Sequence, residues 1–135
     1  MYPKRSLRWG FLSLMLFAAA VSLAVPQDKA EDHFSRGNAL YKKGDLDGAI
    51  AEYREALRLQ PNLPTAHGNL AAALAAKGDL DGAIAEFREA LRLRPNYPEA
   101  HYNLGEALAA KGNKEEAARE FAEAQRLDPK LKPPE

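Results

Sequence analysis

Residues 43–62 read KGDLDGAIAEYREALRLQPN, and residues 77–96 read KGDLDGAIAEFREALRLRPN. The two stretches lie 34 residues apart and differ only at Tyr53/Phe87 and Gln60/Arg94. A catalytic site is built once per domain, whereas a unit that stacks on its neighbours gains from repetition. The duplication therefore points to a repeat architecture before any site is sought. Aligned on Pro61, Pro95 and Pro129, the chain divides into three units of equal length, 30–63, 64–97 and 98–131, with a short tail at 132–135.

Each unit holds two amphipathic stretches around a turn, at Gly44-Asp45, Gly78-Asp79 and Gly112-Asn113, where glycine supplies the backbone freedom that a helix end needs. In the second stretch Ala49, Tyr53 and Ala56 are spaced four and three apart, which places them on one helical face. Ala83, Phe87 and Ala90 repeat the pattern, as do Ala117, Phe121 and Ala124. Small residues around one aromatic allow two helices to approach closely. Pro61, Pro95 and Pro129 stop the second helices, while Pro64 and Pro98 sit where the next helix begins and remove no needed hydrogen bond. In the third unit Asn113 with Glu116 fits a capping box.

The totals exclude several function classes. Basic and acidic residues number 19 each, but Lys4, Arg5 and Arg8 stand at the extreme N-terminus, leaving 16 basic against 19 acidic residues in the remainder. That remainder lacks the positive surplus of a nucleic-acid binder, so no nucleic-acid partner is expected. Cysteine is absent, which removes disulfides, thiolate metal sites and cysteine nucleophiles together.

The opening MYPKRSLRWGFLSLMLFAAAVSLAVPQD runs from basic residues through an apolar stretch, Trp9 to Val25, into a polar one. This is the layout of a secretory signal, and Ser22 and Ala24 are small residues suited to cleavage after Ala24. The rival is an uncut signal anchor, with residues 7–25 as the sole membrane contact; the apolar run of 17 residues is short of the roughly 20 that usually span a bilayer. Residues 1–24 thus read as signal peptide or anchor and 25–29 as a short linker. With the basic end held inside, either reading places the repeats across the membrane. The expected location is the periplasm or the cell exterior, a bacterial envelope being favoured, or the outer side of the membrane for an anchored chain.

The repeated residues resemble the tetratricopeptide repeat family, whose unit is also 34 residues long. The third unit supplies the family's signature as His101, Leu104, Gly105, Leu108, Ala117, Phe121, Ala124 and Pro129, and the second as His67, Leu70, Ala71, Leu74, Ala83, Phe87, Ala90 and Pro95. The first supplies His33, Arg36, Gly37, Leu40, Ala49, Tyr53, Ala56 and Pro61. The departures are histidine where the family usually has tryptophan or another large residue, and Arg36 in place of leucine. The resemblance covers 102 of the 135 residues. It implies an all-α fold, a right-handed solenoid of antiparallel helix pairs with a concave inner face, here preceded by an apolar N-terminal helix. Units of this kind bury their apolar faces only by stacking. Ile50 and Leu57, like Ile84 and Leu91, are therefore read as faces offered to the following unit. Ala118, Gln125 and Lys114 make the last such face wettable, and Arg36 does so at the other end.

Candidates for chemistry have plainer readings. His33, His67 and His101 recur at one repeat position, on helices roughly 8–10 Å apart, whereas ligands of one zinc ion must each come within about 2.1 Å of it. They are read as packing residues, and no metal site is expected. Glutamates such as Glu52/Glu55 and Glu86/Glu89 lie beside arginines at helical pair spacing and read as a solvated face. The chain has no G-x-S-x-G, no phosphate-binding glycine loop and no HExxH. No catalytic residue and no cofactor is expected.

What remains is the surface that the family resemblance makes concave. It brings Glu31, Phe34, Ser35, Asn38, Tyr41 and Lys42 together with Thr65, Gly68, Asn69, Ala72, Ala75 and Ala76, and with Glu99, Tyr102, Asn103, Glu106, Ala109 and Ala110. Within it Phe34, Asn38, Tyr41, Asn69, Tyr102, Asn103 and Glu106 are the candidate partner-binding residues. Amide side chains both donate and accept and so pair with an extended backbone of any sequence, and the aromatics bury apolar side chains at modest entropic cost. The alternative for the asparagines is a bond to a neighbouring helix. Family members that grip chaperone C-termini use two asparagines and several cations. Asn38 and Asn69 match the amides, but the cation positions hold Phe34, Glu99 and Asn103. The expected function is a monomeric, exported, non-catalytic module that binds a protein or peptide. The rivals are an accessory subunit of an envelope enzyme and a self-associating structural protein.

Overall fold

The computed structural model describes residues 29–135; the apolar leader, its cleavage point and the linker up to residue 28 lie outside the described residues. Six helices follow one another: α1 over 29–42, α2 Leu46–Leu59, α3 Pro64–Ala76, α4 Leu80–Leu93, α5 Pro98–Ala110 and α6 Lys114–Leu127. Among the described residues there is no strand, and no helix is long and apolar enough to cross a membrane. Each helix from α2 onward packs on its neighbours in sequence, and α3 also touches α5, which gives a solenoid of helical hairpins.

The hairpin turns come from one glycine each. Gly44, Gly78 and Gly112 have φ of 81°, 90° and 91°, in the left-handed region that an L side chain rarely enters. Around each, two backbone bonds close the end of the first helix. Gly44 N donates to Tyr41 O at 3.0 Å and Asp45 N to Leu40 O at 3.0 Å. The same pair recurs at Gly78/Asp79 and Gly112/Asn113. Pro64 and Pro98 open α3 and α5 as the first helical residues.

Asp45 and Asp79 cap the second helices, each carboxylate accepting from the backbone N–H three residues on, Gly48 or Gly82, at 3.0 Å. The third hairpin departs from this, and from the capping box its sequence predicts. Asn113 stands at the N-cap of α6 but makes no side-chain cap bond. A Cβ built on Gly48 would come within 2.5 Å of Asp45 Oδ2, and one on Gly82 within 2.5 Å of Asp79 Oδ2. The third unit has Glu116 in place of that glycine. The Glu116 carboxylate points instead to the previous hairpin and accepts from Arg88 Nη2 at 2.7 Å.

The core is a row of aromatic rings seated among small residues. Tyr53 and Phe87 are 1% exposed and Phe121 9%. Each ring is flanked by buried alanines, at 49 and 56, 83 and 90, or 117 and 124. Across the hairpin the ring meets a residue with almost no side chain. A Cβ on Gly37 would lie 2.6 Å from Tyr53, and one on Gly105 would lie 2.7 Å from Phe121. Ala71, fully buried, holds the same place in the second hairpin.

The histidines make polar joints around this core. His33, His67 and His101 bond through Nδ1 to Glu52, Glu86 and Glu120 of the same hairpin, at 2.5, 2.6 and 2.6 Å. Nε2 of His67 and of His101 reaches back to the carbonyls of Pro61 and Pro95, at 2.8 and 2.9 Å. Lys77 and Lys111 pair with Asp47 and Asp81 across the same joints. At the far end Ala118 is exposed where Ile50 and Ile84 are buried, Lys114 and Gln125 are exposed where Leu46, Leu80, Leu57 and Leu91 are partly buried, and Arg36 is exposed where Leu70 and Leu104 are buried.

Asp79→Ala should lower the free energy of unfolding by about 1 kcal/mol, the usual cost of losing an N-cap. Asn113→Ala should leave it unchanged. Urea denaturation of the two variants side by side checks the contrast; equal losses would mean that Asn113 caps α6 after all.

Candidate functional site

The inner surface is built by one face each of α1, α3 and α5, because α2, α4 and α6 are committed to the stack. At its first step the Tyr53 hydroxyl donates to Asn38 Oδ1 at 2.8 Å, and Asn69 Nδ2 donates to the same oxygen at 2.8 Å. Burial holds the Tyr53 hydroxyl above its ordinary pKa, so it stays a donor through the neutral range. The carbonyl of Asn38 is thereby filled. The Asn38 amide N–H groups and the Asn69 carbonyl have no partner among the described side chains. No buried polar side-chain atom is left unbonded among the described residues, so these free edges reach solvent.

Two open hollows adjoin them. The first, of about 270 Å³, is lined by Asn38, Tyr41, Lys42, Tyr53, Asn69 and Ala72. The second, of about 340 Å³, has an alanine floor at 72, 75, 107 and 110, reaches down to Leu80 and Phe87, and is edged by Tyr41, Asn103 and Glu106. Tyr41 and Ala72 belong to both, so the hollows form one trough. Tyr41, 40% exposed, is the large apolar side chain that stands free among the described residues.

A family model described as "TPR repeat" matches residues 37–78 and 73–112, and one described as "Tetratricopeptide repeat" matches 98–131. The chain belongs to the tetratricopeptide repeat family. Solved tetratricopeptide structures superpose on it closely. The first such domain of Spaghetti (RPAP3), bound to the HSP90 peptide SRMEEVD, has a TM-score of 0.75 at 27% identity, over 76% of this chain and 82% of that one. The Arabidopsis OM64 domain gives 0.77 at 27% identity, over 78% and 87%. The TPR2B domain of yeast Sti1, in a complex with pHsp70, gives 0.73 at 27% identity, over 76% and 82%. In sequence, 48 residues are 44% identical to a heat shock protein sti1 homolog of Schizosaccharomyces pombe, which is 36% of this chain but only 8% of that protein.

Of the seven residues picked from the sequence, five line the tetratricopeptide trough: Asn38, Tyr41, Asn69, Asn103 and Glu106. Phe34 lies in a separate hollow with Glu31, Ser35, Leu63, Thr65 and Ala66. Its ring leans on Tyr53, with centroids 6.0 Å apart. Tyr102 packs edge-on against Phe121 at 5.4 Å and lines none of the three hollows. Both aromatics are half-buried supports of the core rings. Gly68 opens the middle of the surface, but Tyr97 closes in from the loop between α4 and α5: a Cβ on Gly68 would lie 3.3 Å from its hydroxyl oxygen. The Arg94 guanidinium stacks over the Tyr97 ring at 5.1 Å. In the first unit Gln60 and Leu63 stand at these places, so the Gln60/Arg94 difference follows the loop residue beside it.

Sequence reasoning assigned Tyr53 to the core alone and missed its hydrogen bond to the trough. The signal was present: one hydroxyl distinguishes it from Phe87. Among the described residues no three metal-ligating side chains converge. Tyr53→Phe should cost about 1 kcal/mol of stability, since Phe87 and Phe121 show that the ring itself fits and one hydrogen bond is lost. Phe87→Tyr should bring no gain, because Ala72 stands where Asn38 stands in the first hairpin and offers no acceptor. Paired denaturation curves check both.

Proposed function

We propose that this chain is a non-catalytic tetratricopeptide module that holds an extended peptide segment of a partner protein in its trough. One observation carries the reading. The Asn38–Asn69 pair is locked in place by Tyr53 yet keeps a donor and an acceptor free in the hollow it lines with Tyr41 and Ala72, which runs on into the alanine-floored one. A peptide backbone presents the matching acceptor and donor, and its side chains alternate toward and away from the floor. That two solved relatives hold chaperone-derived ligands supports the class of partner. It does not extend to the acidic chaperone tail. Where the family resemblance asks for cations, this chain has Phe34, Glu99 and Asn103, and Glu99 repels a terminal carboxylate.

The proposal includes export. The basic start, apolar run and small residues before Val25 support a leader that delivers the repeats to the periplasm or beyond, or anchors them at the outer side of a membrane. Intact-mass measurement of the protein recovered from its native envelope should give a chain beginning at Val25. A mass that includes residues 1–24 would establish the anchored form.

Selection of a randomised peptide display library on the full chain should yield binders that are lost on Ala72→Trp. Ala72 borders both hollows and is partly exposed, so an indole there fills the trough while leaving far-UV circular dichroism unchanged. Binders indifferent to Ala72→Trp would place recognition elsewhere.

A further inference from the structure

We infer that the segment held in the trough is cationic, with lysine or arginine side chains whose methylene stems lie on the alanine floor and whose charged ends meet Glu99 and Glu106. This rests on the peptide-binding reading above and adds the sign of the partner's charge. Glu99, Asn103 and Glu106 are spaced four and three apart on α5 and so share one face. Asn103 and Glu106 edge the second hollow, which sets Glu99 on the same side one turn earlier. Both glutamates are exposed.

They share the lack of an ion pair with Glu31, Asp32 and Glu115, whereas every carboxylate of α2 and α4 and most of α6 is paired. On α2, α4 and α6, Glu55, Glu89 and Glu123 are bonded by Arg58, Arg92 and Arg126, at 2.6, 2.5 and 2.5 Å. These guanidinium bonds hold the three carboxyls below their ordinary pKa. Glu52, Glu86 and Glu120 face histidines, and Asp47 and Asp81 face Lys77 and Lys111. Glu99 and Glu106 have no ion pair with any described residue. Within α5 the residues three and four positions away are Tyr102, Asn103, Ala109 and Ala110, none of them a cation. Arg94, the nearest cation before them in sequence, is spent on the Tyr97 ring. Glu31 adds a third exposed carboxylate beside the Phe34 hollow, and Lys42, in the first hollow, is the one cation that lines these three hollows.

The shape agrees with the charge. Ala72, Ala75 and Ala110 leave the second hollow wide and apolar, with Glu106 at its edge. An unbranched stem with a charged end buries its methylenes on such a floor while the end stays in water beside a carboxylate. A concave surface with an excess of one sign also concentrates the opposite charge before contact.

The test reads the charge of groove-dependent binders from the peptide library, on the full chain and on its Glu99→Lys/Glu106→Lys variant. Binders lost on Ala72→Trp should be enriched in lysine and arginine and depleted in aspartate and glutamate. A synthetic lysine-bearing binder should exceed its glutamate-substituted twin by about tenfold in affinity at low salt, as two exposed ion pairs would give. The margin should shrink in 0.5 M NaCl, and the double variant should reverse the preference. Groove-dependent binders that are acidic or without charge bias would overturn this inference and leave the peptide-binding reading standing. The absence of any groove-dependent binder would overturn both.

Discussion

An aromatic ring pressed onto a residue with almost no side chain is the contact on which the other packing depends. Tyr53 over Gly37 and Phe121 over Gly105 bring two helices close enough that no methyl group fits between ring and backbone. Flanking alanines let the second helix lie flat. Enlarging the small residue would lift the helices apart and expose the ring that each hairpin is built around, at the cost that overpacked cores show. With that seat in place, Ile50 and Ile84 go to the following hairpin, and the first helices keep one face for something outside the chain.

Polar groups complete each joint. Leucines and isoleucines fill its middle, while a histidine–carbonyl bond and a lysine–aspartate pair close it at either side. Apolar contact alone is indifferent to small rotations; directional bonds at two separated points are not. The curvature of the trough, and the distance from Asn38 to Glu106 along it, are set by these bonds as much as by the core.

The hairpins, their glycine turns, the proline starts and the wettable last face were all legible in the repeated phrase, because each follows from residue type at helical spacing. What the sequence hid was whatever depends on pairing between helices. The glutamate partner of each histidine stands 19 residues away, and Asn38 meets Tyr53 and Asn69 at separations of 15 and 31. Helical register named the face that carries Phe34 and Tyr102 but not how far each ring leans back onto the core. The capping box at Asn113 does not form. The glutamate that its pattern counts as a partner, Glu116, bonds to Arg88 of the previous hairpin instead.

The near-identity of α2 and α4 has a kinetic side. They differ only at Tyr53/Phe87, so a chain still collapsing meets two almost equal claimants for the seat on α1. Seating α4 there forfeits one hydroxyl bond to Asn38, about 1 kcal/mol. It also stretches the closing loop from residues 43–45 to residues 43–79, which adds about 2 kcal/mol of closure entropy. Proofreading against the wrong winding therefore comes mainly from the shortness of the tether, and only secondarily from the side chain that tells the two copies apart.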